Sequence, residues 1–151
     1  MDLRTAIYRY CNYQERCHQE VKNKLYELGA HRDEVATLMA ELIEAGLLNE
    51  ERFARSYARG KFRMKGWGKN KIKYQLRALQ VSDYCLKKGL SEIDPDEYYQ
   101  CLKRLVAQKY AYYKAQKPEW VRRQKVKQYL LSRGYEAGLI EEAVKDVLLT
   151  T

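Results

Sequence analysis

A chain of 151 residues with 29 Lys or Arg against 20 Asp or Glu carries a formal charge of +9 at pH 7, and such an excess points to an anionic partner, nucleic acid or an acidic protein surface before a membrane. Charges and tyrosines interrupt the stretch from Met1 to Tyr13, and no window reaches the roughly eighteen apolar residues of a membrane span, so neither a leader nor a span is expected and the cytoplasm is the expected compartment. Cys11, Cys17, Cys85 and Cys101 form no CxxC pair, His18 and His31 have no partner at ligand spacing, and no Walker-type loop or acid/base pair emerges, so no metal, cofactor or enzymatic chemistry is expected.

With 2 prolines, 14 tyrosines and no Val/Ile/Thr alternation between turns, the composition is helical. The first helix is expected over Asp2 to Asn12, with Ala6, Ile7 and Tyr10 inward. The second runs from Glu15 to Leu28, with Val21, Leu25 and Leu28 inward and Gly29 stopping it; the third runs from Arg32 to Ala45, carries Val35, Leu38, Leu42 and Ile43, and ends at Gly46. A fourth starts at Asn49 as N-cap, with Leu48 and Phe53 at the spacing of a hydrophobic staple. On its wheel Phe53, Tyr57 and Met64 share one face, and Arg52, Arg55, Arg59 and Arg63 form a stripe about 130° away. Gly66-Trp67-Gly68 breaks this helix, and a fifth begins near Lys69 with Ile72, Leu76 and Leu79 inward.

From Arg52 to Gln80 the chain has 10 Lys or Arg and no Asp or Glu. Like charges at i, i+4 repel by a few tenths of a kcal/mol, so the stripe is explained by something outside its own helix. Trp67, between glycines and lysines, either stacks on a base or packs on its own helices. Further on, Asp94, Pro95 and Glu97 open a long helix to Gln116, and Lys117-Pro118-Glu119-Trp120 starts another. Most of the cluster Tyr98, Tyr99, Tyr110, Tyr112 and Tyr113 reads as core, and Trp120 as helix packing.

The helices recur. Val21, Leu25 and Gly29 match Ile72, Leu76 and Gln80, then Val126, Leu130 and Gly134, at spacings of 51 and 54 residues. Val35, Leu38 and Leu42 match Leu86, Gly89 and Ile93, then Ile140, Ala143 and Val147; Leu48, Asn49, Phe53 and Tyr57 match Ile93, Asp94, Tyr98 and Leu102. The expected fold is all-α: three tandem three-helix repeats over 2–47, 48–93 and 94–149, forming an elongated, curved molecule.

The run GLLNEERFARSYARGKFRMKGWGKNKIKYQL, an earlier LYELG-EV-LI helix pair and a later QYLLSRGY-IEEAV pair resemble the RecX family of regulators of the RecA recombinase. The most specific part is RFA-x-x-Y, here Arg52, Phe53, Ala54 and Tyr57, and the resemblance covers nearly the whole chain. It implies a non-enzymatic protein of three three-helix repeats, acting in DNA repair, homologous recombination and the SOS response. Such a protein binds RecA filaments on DNA in their groove and modulates, usually inhibits, ATP hydrolysis, strand exchange and co-protease function.

Carried onto this sequence, the contact region is Arg52, Arg55, Arg59, Lys61, Arg63, Lys65, Trp67, Lys69, Lys71, Lys73 and Arg77. Trp67 departs from the family's more plainly basic loop. A second basic strip, Lys114, Lys117, Arg122, Arg123, Lys125 and Lys127, with Lys109 before it, reads as more of the same surface or as a merely soluble face. The expected partners are the RecA filament and, more weakly, single- and double-stranded DNA, with a log–log salt slope of roughly −3 to −7 if four to eight cations engage phosphates; the chain is expected to be a monomer. The alternative reading is a helix-turn-helix-like DNA-binding transcription regulator. It is disfavoured because the cations bracket a loop and two helices instead of one recognition helix. A helical adaptor with no nucleic-acid role would make the charge incidental.

Overall fold

In a computed structural model, which describes residues 2–150, the described residues form nine α-helices and no strand. They are α1 (Leu3–Tyr13), α2 (His18–Glu27), α3 (Arg32–Glu44), α4 (Glu50–Lys65), α5 (Lys69–Ala78), α6 (Asp83–Leu90), α7 (Pro95–Tyr112), α8 (Glu119–Ser132) and α9 (Ala137–Thr150). Short polar side chains fix several starts by accepting orphan backbone N–H groups. Asp2 Oδ1 accepts from Thr5 at 2.7 Å, Asn49 Oδ1 from Arg52 at 2.9 Å, Ser82 Oγ from Cys85 at 3.2 Å and Asp94 Oδ2 from Glu97 at 2.9 Å. Cys17 takes the same place on α2: its Sγ accepts from Glu20 N–H at 3.4 Å while its own N–H donates to Glu20 Oε1 at 2.9 Å. Burial of that thiol pushes its pKa up to about 11.

The chain packs as two compact units. Unit 1 comprises the residues up to Ala58 together with Gln75–Glu92. Its largest cluster is Ile7, Cys11, Val21, Leu25, Ala30, Val35, Leu38, Leu42 and Leu48, where α1 packs on α2 and α2 on α3. Also in unit 1, Gly89 of α6 lies so close to α4 that a Cβ there would meet Ala54 O at 2.6 Å. Gly89, matched in sequence with Leu38, is a buried residue of its helix, as Leu38 is. Unit 2 comprises Arg59–Tyr74 and the residues from Ile93 onward. Here α7, α8 and α9 pack against one another, and Phe62, Ile72, Tyr98, Leu102, Val106, Val126, Leu130, Tyr135, Ile140, Ala143 and Val144 are buried. Helices α4 and α5 therefore each contribute residues to both units.

The matched columns of the repeat share a turn. Gly29, Gln80 and Gly134 all have positive φ, at 92°, 60° and 99°. In each case the next residue's N–H reaches back into the helix: Ala30 to Leu25 O at 3.0 Å, Val81 to Leu76 O at 3.1 Å and Tyr135 to Leu130 O at 3.1 Å. These are Schellman ends, and Ala30, Val81 and Tyr135 are the buried residues that follow. Gln80 alone carries a side chain in the left-handed region, at a cost of about 1 kcal/mol. Gln80→Gly is accordingly expected to raise unfolding free energy by about 0.5–1 kcal/mol, read as a higher urea midpoint at unchanged slope.

Several apolar assignments are corrected: of the cluster Tyr98, Tyr99, Tyr110, Tyr112 and Tyr113, read as mostly core, only Tyr98 is buried, and Tyr112 lies 72% exposed. Met64 is 84% exposed; Phe62, nine residues on from Phe53 and so about half a wheel away, is the side chain α4 buries in unit 2. Leu28 is exposed because it is the C-cap of α2, beyond the last turn. Ile43 is exposed, lying about 100° round α3 from the buried Leu42. Trp120 is 69% exposed, since it sits about 120° round α8 from Val126, which defines the buried line with Leu130. Among the boundaries, α2 starts at His18 instead of Glu15 and α7 ends at Tyr112 instead of Gln116.

Candidate functional site

The cations of the central stretch divide by what they touch. In unit 1, Arg52 Nε pairs with Glu15 Oε1 at 2.6 Å, and Arg55 bridges Glu51 at 3.1 Å and Glu92 at 3.0 Å. Hydrogen bonds to Glu92 and then Glu51 hold the Arg55 guanidinium above its ordinary pKa. Acids from outside the acid-free run thus neutralise the first two arginines of the stripe, and solvent screening keeps such half-exposed pairs weak. Arg77 in unit 1 and Arg63, Lys65 and Lys73 in unit 2 make no ion pair among the described residues, and all but the half-buried Lys73 are exposed. Arg59 is half-buried.

The glycine break in unit 2 is a docked loop. Gly66 takes φ +66°, in the left-handed region. Gly68 N–H donates to Arg133 O at 2.8 Å, and Asn70 N–H donates to Gly134 O at 2.9 Å. A Cβ on Gly68 would lie 2.3 Å from Gly134 C and Tyr135 N, so only glycine lets the two backbones approach this closely. The Arg133 guanidinium donates to Lys65 O, and Tyr135 Oη donates to Gly66 O at 3.0 Å. Trp67, half-buried, is held in this loop with Lys61 Nζ 4.9 Å and Lys71 Nζ 4.7 Å from its ring.

Behind the loop stands Tyr98. Its hydroxyl accepts from Lys69 N–H at 2.8 Å and donates to the Glu136 carboxylate; Lys69 Nζ lies 4.9 Å from its ring. Its ring is 5.7 Å from Phe62 and 5.1 Å from Tyr135. Burial, reinforced by the Glu136 hydrogen bond, pushes the Tyr98 phenol pKa up; burial and the contact with Cys101 do the same at Tyr135. Sequence reasoning read Tyr98 as core and did not single out Tyr135; the recurrence of Gly134 in a matched column was the available sign of a special turn, but nothing pointed to its docking on Gly68.

The second strip is also in unit 2. Arg122 stacks on Tyr110, its Cζ 3.4 Å from the ring centroid, and donates from Nε to Tyr110 O at 2.8 Å. Arg123 pairs with Glu119 at 3.4 Å and Lys127 with Glu141 at 2.6 Å. Lys114, Lys117 and Lys125 are exposed and make no ion pair among the described residues. Among the described residues, no three His, Cys, Asp or Glu side chains gather as metal ligands, and no helix is long and apolar enough to cross a membrane.

These features define an all-helical protein of recurring three-helix segments with an unusually cationic middle. Residues 49–90 match the family model described as RecX, second three-helix domain, and residues 96–144 that of the third three-helix domain. The chain belongs to the RecX family. It is 37% identical over 129 residues to regulatory protein RecX of Clostridium perfringens (strain SM101 / Type A), covering 84% of this chain and 59% of that one. Over 150 residues it is 29% identical to regulatory protein RecX of Prosthecochloris aestuarii, covering 97% and 96%. The crystal structure of RecX from Lactobacillus salivarius shares the fold with a TM-score of 0.89 at 24% identity, over 97% of this chain and 95% of that one. A second crystal structure of regulatory protein RecX gives a TM-score of 0.84 at 26% identity, over 96% and 72%. The chain spans 59% of the length of the Clostridium perfringens relatives it matches.

Proposed function

We propose that this chain is a cytoplasmic, non-enzymatic regulator of the RecA recombinase that binds RecA–DNA filaments in their groove and restrains ATP hydrolysis, strand exchange and co-protease function. Family membership supports the regulatory role. The observation that carries the choice of surface is the acid-free run from Arg52 to Gln80, in which Arg63, Lys65 and Lys73 of unit 2 meet no carboxylate among the described residues. Cations left in this state are matched by acidic protein surface or by phosphate, whose counterions are released on binding. Arg52 and Arg55, held by Glu15, Glu51 and Glu92, serve instead to hold α4 within unit 1.

The test is RecA ATP hydrolysis on single-stranded DNA during titration with this protein. The wild-type chain is expected to inhibit at well below one molecule per RecA protomer. Changing Arg63, Lys65 and Lys73 together to alanine is expected to raise the inhibiting concentration by about tenfold or more. Arg52→Ala/Arg55→Ala is expected to change it far less. Hydrolysis unaffected by saturating, folded wild-type protein would sink the regulator reading.

A further inference from the structure

We infer that the hairpin joining α7 to α8 is a stacking site for the unpaired bases of single-stranded nucleic acid, with Trp120 and Tyr112 as the platforms and Lys114, Lys117 and Lys125 as the phosphate contacts. It sharpens the DNA-binding part of the function proposed above and rests on that reading only for its biological setting.

Trp120 and Tyr112 are 69% and 72% exposed, so neither large ring contributes much to the core. Both belong to the hairpin of unit 2, and the hairpin is braced. Tyr110 donates its phenol to Glu119, Arg122 covers the Tyr110 ring and bonds its carbonyl, and Lys109 Nζ lies 4.2 Å from the Tyr129 ring of α8 and 4.8 Å from that of Tyr112. Tyr113 meets Tyr112 edge-on at 4.9 Å, which steadies that ring. A platform held in advance loses little freedom when a base lands on it. From Lys109 to Lys127 the chain has 7 Lys or Arg and a single acid, Glu119, which Tyr110 and Arg123 already engage.

Aromatics set among lysines suit a single strand, because every base offers a π face while the backbone follows the cations. A duplex hides those faces and would meet only the lysines. A membrane interface is the poorer match: such helices present a broad aliphatic face, whereas α8 has no exposed aliphatic side chain larger than alanine before Leu131.

The full-length chain is titrated, with no recombinase present, into a labelled oligothymidylate and a labelled duplex of equal length at fixed salt. Trp120→Ala and Tyr112→Ala are each expected to weaken oligothymidylate binding by about tenfold while duplex binding moves by less than about twofold. Trp120→Phe, which keeps a π face, is expected to retain most of the affinity. In a Trp67→Phe background, where Trp120 is the sole indole, its emission is expected to be quenched by the oligonucleotide. Three results would overturn the inference: unchanged single-strand affinity in Trp120→Ala, equal losses on single strand and duplex, or an emission that responds to phosphatidylglycerol vesicles and not to the oligonucleotide. Because no RecA is present, these outcomes are independent of the hydrolysis test.

Discussion

Gly68→Ala is expected to destabilise the protein by about 3 kcal/mol, lowering the urea midpoint and the thermal midpoint together. The added methyl would stand 2.3 Å from Gly134 C and Tyr135 N, both backbone atoms that cannot swing aside as a side-chain tip would. Relief requires the loop and the turn after α8 to separate. Separation stretches two backbone hydrogen bonds, Gly68 N–H to Arg133 O and Asn70 N–H to Gly134 O. Gly60→Ala serves as the opposite control. Gly60 lies inside α4 with nothing within 4 Å of its Cβ direction, and alanine there is expected to add about 0.5–1 kcal/mol. If both substitutions changed stability in the same direction, the close approach at Gly68 would not be what holds this loop.

Alkaline pH is expected to produce the second large effect. Tyr98 and Tyr135 are buried in unit 2, and both phenols have pKa values raised above the ordinary value. A raised folded pKa means that the native state keeps a proton the unfolded chain releases. The stabilisation is therefore complete below about pH 10, the unfolded value, and is lost as pH climbs from there towards the folded values. Each retained proton contributes a slope of about −1.4 kcal/mol per pH unit, so the pair gives about −3 kcal/mol per unit once pH is well above 10. Urea titrations at successive pH values above neutrality should show a plateau and then this fall. Tyr135→Phe, which has no phenol to ionise, should make the slope shallower by about 1.4 kcal/mol per pH unit while lowering stability at neutral pH through loss of the bond to Gly66 O. A slope unaffected by that substitution would place the alkaline sensitivity elsewhere.

Much of the helical plan was legible because it rests on local chemistry. Asn49 and Asp94 announce helix starts by side-chain type, and Gly29 and Gly134 announce ends, so these points could be read from neighbours in the chain. The recurrence reached further: the column holding Gly29 and Gly134 also held Gln80, and the backbone there adopts the same left-handed turn despite the side chain. The wheel failed at Met64 because α4 was given one inward face, whereas tertiary packing decides which face is covered. The basic stretch was visible as charge, but its division was not. Arg52 and Arg55 find Glu15 and Glu92, each 37 residues away along the chain, and no periodicity within α4 reports on so distant a partner. Docking of Gly68 on Gly134 is a backbone event at still longer range, and two glycines in a sequence look alike whether they free a loop or let it be gripped.

What recurs along this chain is not what coheres. Matching columns recur at spacings of 51 and 54 residues, yet residues 59–74 belong to the same compact unit as everything from Ile93 onward. A fragment cut at the start of α7 would keep α7, α8 and α9 and still lack a wall of its own fold. Tyr98 Oη would lose the Lys69 N–H, Arg133 and Gly134 carbonyls would lose the Gly68 and Asn70 N–H groups, and Phe62 would leave the Tyr98 ring bare.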